Sequence, residues 1–203
     1  AEEAGRLDDV GTTGLTTRIV AGGVQSVLKR RLDHVPQSGR RLLQLAAVAG
    51  RELRLDILQR VKDDWDLDDW LATCSNIAVL EVQNGERRFA HDKLRIAALE
   101  AIPGDVRPEL HREIAEAIED VYPDSQEQAA TLAYHWRSAG DIMKELFYVQ
   151  KAGDHALRIS AYGEAMEHFE RAFELLQIPP LSKSDQRQPV AAVLSKLGEA
   201  LQH

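Results

Sequence analysis

Apolar side chains recur every three or four residues over most of this chain, which is the spacing of an amphipathic α-helix. The clearest early example contains Val24, Leu28 and Leu32 and ends before Pro36. The same pattern predicts further helices in the amino-terminal half near residues 39–49, 56–61 and 68–76. A mainly α-helical protein is therefore expected.

The period of the pattern changes to two between residues 79 and 90. We expect two strands, at residues 79–83 and 86–90, on either side of Asn84-Gly85, because both central residues of a type I′ turn need positive φ. Helices followed by a hairpin are the order of a winged helix-turn-helix. The chain is accordingly divided into a linker or entry segment over residues 1–20 and a winged-helix domain over residues 21–104.

Everything after Pro103-Gly104 has a helical pattern, and Leu194, Leu197 and Leu201 mark a last helix. Four residues occupy the positions at which tetratricopeptide (TPR) repeats place a small residue, an alanine, a large aromatic residue and a second alanine: Gly153, Ala165, Phe169 and Ala172. We expect a TPR-like helical array over residues 105–203, with a generic α-helical bundle as the alternative.

Composition and charge narrow the class of protein. The chain has 203 residues and a net charge of −8, which gives no general attraction to nucleic acid or anionic lipid. No apolar run approaches the roughly 20 residues of a membrane span, and no signal peptide is apparent. The chain begins at Ala1 rather than methionine and stops inside a helical pattern at His203. We therefore expect a cytoplasmic fragment of a longer protein, without a membrane partner.

The helix expected near residues 68–76 decides between two function classes. A DNA-reading helix normally presents basic or amide side chains to bases and phosphates. Residues 65–74 instead carry Asp66, Asp68 and Asp69 and no basic residue. Arg87 and Arg88 on the wing do not offset that charge. A DNA-binding transcriptional regulator with a helical-repeat domain is thus the alternative function, and no specific nucleic-acid partner is expected.

Three stretches of the chain, residues 31–36, 40–52 and 89–95, resemble the segment that follows the nucleotide-binding domain of STAND ATPases. These signal-transduction ATPases include bacterial multidomain regulators and NLR-type immune receptors. The resemblance implies a regulatory segment whose winged helix relays nucleotide state and whose repeats bind a protein partner or inducer. No phosphate-binding loop is present in the sequence, so ATP or ADP would be held by a nucleotide-binding domain outside this chain.

His91 and Asp92 directly follow the predicted wing. The residues themselves suggest that Asp92 is the N-cap of the next helix. For His91 they leave two interpretations open, a strand-end side chain bonded to a carbonyl or a phosphate donor. The resemblance implies the second, because NLR-type members use a histidine here to reach the β-phosphate of ADP, although Ala90 replaces their preceding methionine.

No enzyme chemistry is indicated by the remaining titratable residues. Neither the histidines nor Cys74 shows the spacing of a metal site, and no nucleophile elbow is present. We expect no catalytic residues, no metal and no cofactor within this chain.

Overall fold

A computed structural model describes residues 26–61 and 66–178, together with six positions between residues 192 and 200. The predicted linker at residues 1–20 lies outside this part, as do Leu194, Leu197 and Leu201. The described chain is mainly helical with one two-stranded antiparallel hairpin, which confirms the coarse architecture expected from the pattern. No helix in these ranges is long and apolar enough to cross a membrane.

Five helices, a short 3₁₀ turn and the hairpin make up the amino-terminal part. In chain order these elements are α1 (residues 26–33), the 3₁₀ turn Gln37–Gly39, α2 (Arg40–Ala49), α3 (Leu55–Val61), α4 (Leu67–Asn76), β1 (Leu80–Gln83), β2 (Glu86–Phe89) and α5 (Asp92–Glu100). The turn between the strands is formed by Asn84 (φ 55°) and Gly85 (φ 84°), so the predicted type I′ geometry is confirmed.

Four longer helices follow, and each of the last three packs against the helix before it. They are α6 (Arg107–Val121), α7 (Ala129–Ala139), α8 (Ile142–Arg158) and α9 (Tyr162–Leu176). Local signals fix their ends: Gly140 terminates α7 in the left-handed conformation, and the Asp141 carboxylate caps α8 by accepting from the backbone N–H of Lys144 at 3.0 Å. The six described positions between residues 192 and 200 are also helical.

Two clusters of buried apolar side chains form the core, and α2 contributes to both. Trp70 lies at the centre of the amino-terminal cluster, and its indole N–H donates to the carbonyl of Gly39 at 3.1 Å. Leu42 and Leu43 on α2 belong to that cluster. Leu45 and Val48 on the same helix instead pack with α6 to α9.

The two parts therefore meet along α2, α3 and α6. Ile57 of α3 joins the same buried cluster as Ile114 and Ile118 of α6. Ion pairs from Arg41 to Glu113 and from Arg60 to Asp120 flank this apolar contact. Apolar burial holds the two parts together, since ion pairs at an exposed rim contribute about 0–1 kcal/mol each.

Candidate functional site at the base of the hairpin

His91 caps helix α5 just after the hairpin. Its backbone is extended (φ −153°, ψ 139°), and its Nδ1 accepts a hydrogen bond from the backbone N–H of Lys93 at 3.0 Å. A ring nitrogen that accepts carries no proton, so the proton of the neutral ring is on Nε2. The side chain is exposed, and it therefore offers an Nε2–H donor at the base of the hairpin.

The prediction that Asp92 is the N-cap is wrong. Asp92 is the first residue of α5, and its carboxylate lies 3.1 Å from Nε of Arg51. The cap moves one residue earlier because His91 has the extended backbone that a cap requires and its ring reaches the N–H two residues on. The Nδ1 atom of His91 accepts from an N–H and bonds no carbonyl, whereas the partner of Nε2 stays a prediction.

Arg51 belongs to the segment that joins α2 to α3, and this segment pairs with the outer edge of the hairpin. Glu52 forms a single antiparallel bridge with Arg88, and the N–H of Leu53 donates to the carbonyl of Arg87 at 2.8 Å. The Arg51–Asp92 ion pair thus connects the start of α5 to the α2–α3 segment, which in turn lies against α6 through α3.

The amino terminus of α4 is closed to phosphates. Asp66 caps it by accepting from the backbone N–H groups of Asp68 (2.9 Å) and Asp69 (3.3 Å). All three side chains are at the exposed end of the helix. The N–H groups that would otherwise attract an anion are occupied, and the surrounding charge is negative.

The hairpin carries two arginines, Arg87 and Arg88. Arg88 pairs across the hairpin with Glu81, whose Oε1 lies 3.0 Å from both Nε and Nη2. One of the two hairpin arginines is therefore neutralised by its cross-strand neighbour. These contacts agree with the expectation of no specific nucleic-acid partner, which stays a prediction.

The four residues predicted to set the repeat packing lie on α8 and α9. Ala165, Phe169 and Ala172 form one fully buried face of α9. Gly153 on α8 lies directly against the ring of Phe169, so close that a Cβ at residue 153 would be 2.6 Å from Cε1. A side chain at Gly153 would thus overlap the aromatic ring, which is the close approach that the small residue permits.

The preceding helix pair has different residues at the corresponding places. Thirty-four residues, the TPR period, separate His135 from Phe169 and Glu119 from Gly153. Glu119 accepts from the indole N–H of Trp136 (2.9 Å) and from Lys144 Nζ (2.9 Å). Polar contacts between α6, α7 and α8 here take the place of the small-residue contact between α8 and α9.

The buried His135 contacts the half-buried His111 of α6, and the two Nδ1 atoms are 3.0 Å apart. His135 is 1% exposed, and burial, followed by the charge of His111, lowers its pKa to about 3. Burial also lowers the pKa of His111, with a further contribution from the positive charge of Arg107. No sequence signal indicates this pair, because its members are on neighbouring helices whose register the pattern does not specify.

Glu145 is the other buried polar side chain in the described part of the chain. It lies on α8, is 4% exposed, and accepts from Nε of Arg171 on α9 at 2.8 Å. Arg137 of α7 approaches the same oxygen at 4.0 Å. The hydrogen bond that Arg171 donates to Glu145 raises the pKa of Arg171 above its ordinary value, so the guanidinium stays charged in this contact between helices.

The described residues contain no group of three or more histidine, cysteine, aspartate or glutamate side chains arranged to hold a metal ion. Cys74 is fully buried, and burial raises the pKa of its thiol to about 12. A thiol with such a pKa is protonated near neutral pH and is a poor nucleophile.

His91 and Asp92, the two site residues predicted from the sequence, are both exposed at the start of α5. No family model, curated protein or solved structure matches the chain, so its function has to be inferred from its own residues.

Proposed function

We propose that this chain is the regulatory and interaction segment of a STAND-type signalling ATPase. In this proposal residues 21–104 are a winged helix that relays nucleotide state, and residues 105–203 are TPR-like repeats that bind a protein partner or inducer. The order of elements supports the first assignment: helix α2, a bridging residue at Glu52, helices α3 and α4, and then the hairpin. The contact between Gly153 and Phe169 supports the second.

The observation that carries the proposal is the Nε2–H donor of His91 at the exposed start of α5. An imidazole N–H beside the amino terminus of a nine-residue helix fits a phosphate oxygen, because the helix dipole adds positive potential there. The nearby carboxylate of Asp92 would oppose an anion, but the guanidinium of Arg51 offsets its charge. ADP held by a preceding nucleotide-binding domain would supply the phosphate.

A signal at His91 has a continuous path to the repeats. Asp92 contacts Arg51, and the segment that contains Arg51 continues into α3, whose Ile57 packs against α6. Movement of the α5 amino terminus would therefore act on the helices that anchor the repeat array. These contacts form a continuous physical path, and the nucleotide release and signalling of the variants below test whether the path couples the two parts.

The repeats present apolar side chains suited to a protein partner. Met143 and Phe147 are one turn apart on α8, and they are 62% and 52% exposed. Exposed apolar residues that adjoin one another on a helix are a common feature of protein-binding surfaces. We assign partner binding to this face of α8.

The test compares two variants of His91 in the longer ATPase that the proposal requires. His91→Ala removes both the donor and the helix cap, whereas His91→Ser keeps a capping oxygen and removes the imidazole. A hydrogen bond to a charged group is worth roughly 1.5–3 kcal/mol, so both variants should release ADP about 10–150 times faster and signal more strongly without stimulus.

Thermal melts separate the two roles of the residue. His91→Ala should lose about 1 kcal/mol of stability through the missing cap, whereas His91→Ser should retain most of it. Asp92→Ala should cost only about 0–1 kcal/mol, because the exposed pair with Arg51 is weak. If His91→Ser leaves the ADP release rate unchanged, His91 is a helix cap alone and the sensor proposal is wrong.

A further inference from the structure

A cleft opens where the α2–α3 segment meets α6 and α7. Its volume is about 310 Å³, the volume of roughly ten water molecules in the liquid. Ile57, Ile114 and Ile118 form its apolar floor. Sites for small molecules occur preferentially at such junctions and combine an apolar floor with a few polar groups.

Two of the three charged residues that line the cleft are cationic. Arg51 and Arg54 line it together with a single acidic residue, Glu52, so its lining has a net positive charge in a chain whose net charge is −8. We propose that this cleft binds a small organic anion, whose charged group lies between the two guanidinium groups and whose apolar body lies on the isoleucine floor.

The present partners of both arginines can be exchanged for a ligand at low cost. Arg51 pairs with Asp92 at 3.1 Å, and Arg54 lies 3.5 Å from Asp56 and donates to the hydroxyl of Tyr122. The arginine side chains are 54% and 42% exposed, and ion pairs at such exposure are weak. A carboxylate that accepts from both arginines replaces these contacts with charge-assisted hydrogen bonds.

The opposite wall supplies uncharged polar groups. Gln128 and Thr131 line the cleft near the start of α7, and they offer an amide and a hydroxyl to a second polar group of the ligand. A ligand that draws Arg51 away from Asp92 would also loosen the start of α5. The cleft is thus placed to act on the same segment as His91, although its occupancy does not depend on nucleotide.

The experiment uses the chain of residues 1–203 with hexanoate as the probe and ¹³C-labelled isoleucine methyl groups as reporters. Hexanoate should shift the methyl signals of Ile57, Ile114 and Ile118 saturably, with a dissociation constant on the order of 1 mM. The signals of Ile96 and Ile159, which are exposed elsewhere, should stay in place. Hexan-1-ol, which lacks the charge, should bind about tenfold more weakly.

Two substitutions test the arginines against a matched control. Arg51→Gln and Arg54→Gln should each weaken hexanoate binding about tenfold, with melting temperatures recorded to confirm folding. Arg112→Gln removes an equally exposed arginine of α6, paired with Glu109 outside the cleft, and should leave binding unchanged.

Three results would overturn the proposal: no saturable shift up to about 50 mM hexanoate, equal shifts at Ile96 and Ile159, or full binding by the folded Arg51→Gln variant. Sodium chloride at the same ionic strength provides the salt control. Because the titration contains no nucleotide, its failure would leave the proposed role of His91 standing, and unchanged ADP release from His91→Ser would leave the cleft proposal standing.

Discussion

Replacing Gly153 with alanine should destabilise the chain, although alanine is the better helix former. In the interior of an exposed helix the exchange would gain about 1 kcal/mol from helix propensity. Here the new Cβ would lie 2.6 Å from Cε1 and 2.7 Å from Cζ of Phe169. Carbon atoms do not approach so closely, so either the ring or the α8 backbone has to move.

The ring of Phe169 has little room to move, because it is 0% exposed and lies between two fully buried alanines of its own helix. Overpacking a well-packed core costs typically 1–3 kcal/mol. Subtracting the gain in helix propensity leaves a net destabilisation of about 0–2 kcal/mol. A rise in stability would require the two helices to separate without cost.

Gly163→Ala is the matched control, because Gly163 lies near the start of α9 and a Cβ there meets no atom within 4 Å. That variant should be stabilised by about 0.5–1 kcal/mol. Urea unfolding of the two single variants should therefore place them about 1–3 kcal/mol apart. Phe169→Leu should relieve the overlap, so the two substitutions should be less harmful together than their separate effects predict. If Gly153→Ala stabilises the chain as much as Gly163→Ala does, the close approach of α8 and α9 is wrong.

Three further outcomes are expected. Burial lowers the pKa of His135 to about 3, so below about pH 6.5 the unfolded chain takes up a proton that the folded chain excludes. The free energy of unfolding should therefore fall as the pH falls below that value, by at most about 1.4 kcal/mol per pH unit. His135→Phe should reduce this pH dependence in urea unfolding measured from pH 7 to pH 4. An unchanged slope would contradict the lowered pKa of His135. Glu145→Ala should cost about 1–3 kcal/mol in urea unfolding by leaving Arg171 without its buried partner, and a neutral effect would show that the pair contributes nothing. Gel-shift assays on mixed duplexes should detect at most weak, salt-sensitive binding through Arg87 and Arg88. Submicromolar binding to a defined duplex at physiological salt would contradict the prediction that the chain has no specific nucleic-acid partner.

The elements that could be predicted from sequence are those whose causes are local. The hairpin depends on a turn in which Asn84 and Gly85 both adopt positive φ, and this requirement is visible in two adjacent letters of the sequence. Helices α3 and α4 begin and end within one or two residues of the predicted bounds, because their apolar period and the cap at Asp66 are contained in the segments themselves.

The cap of α5 shows where local reasoning fails. Aspartate is a preferred cap and histidine is not, so residue preference alone selects Asp92 over His91. The structure reverses this order because strand β2 delivers His91 in an extended conformation and because Arg51, distant in sequence, engages the aspartate. A contact between residues about forty positions apart has no periodic signature.

The buried polar pairs were beyond prediction for a related reason. His111 and His135 lie beside the apolar stripes of α6 and α7, and a surface or groove position expected for His135 from its helix is wrong, because its contact with His111 depends on how far α6 and α7 slide along each other. The partnership of Glu145 with Arg171 depends in the same way on the register of α8 and α9. The period of a helix specifies which face is buried, whereas the neighbour of each residue on that face is set by helix packing.

Helix α2 has opposite faces in two different cores, with Leu42 and Leu43 on one side and Leu45 and Val48 on the other. If α2 moved away from either core, apolar side chains of both cores would be exposed to water. We therefore expect its amide hydrogens to exchange only when the whole chain opens, and the chain to melt in a single transition without independent melting of its two parts. The boundary between the two parts could not have been recombined freely in an ancestral chain, because α2 would have been left with one face in water.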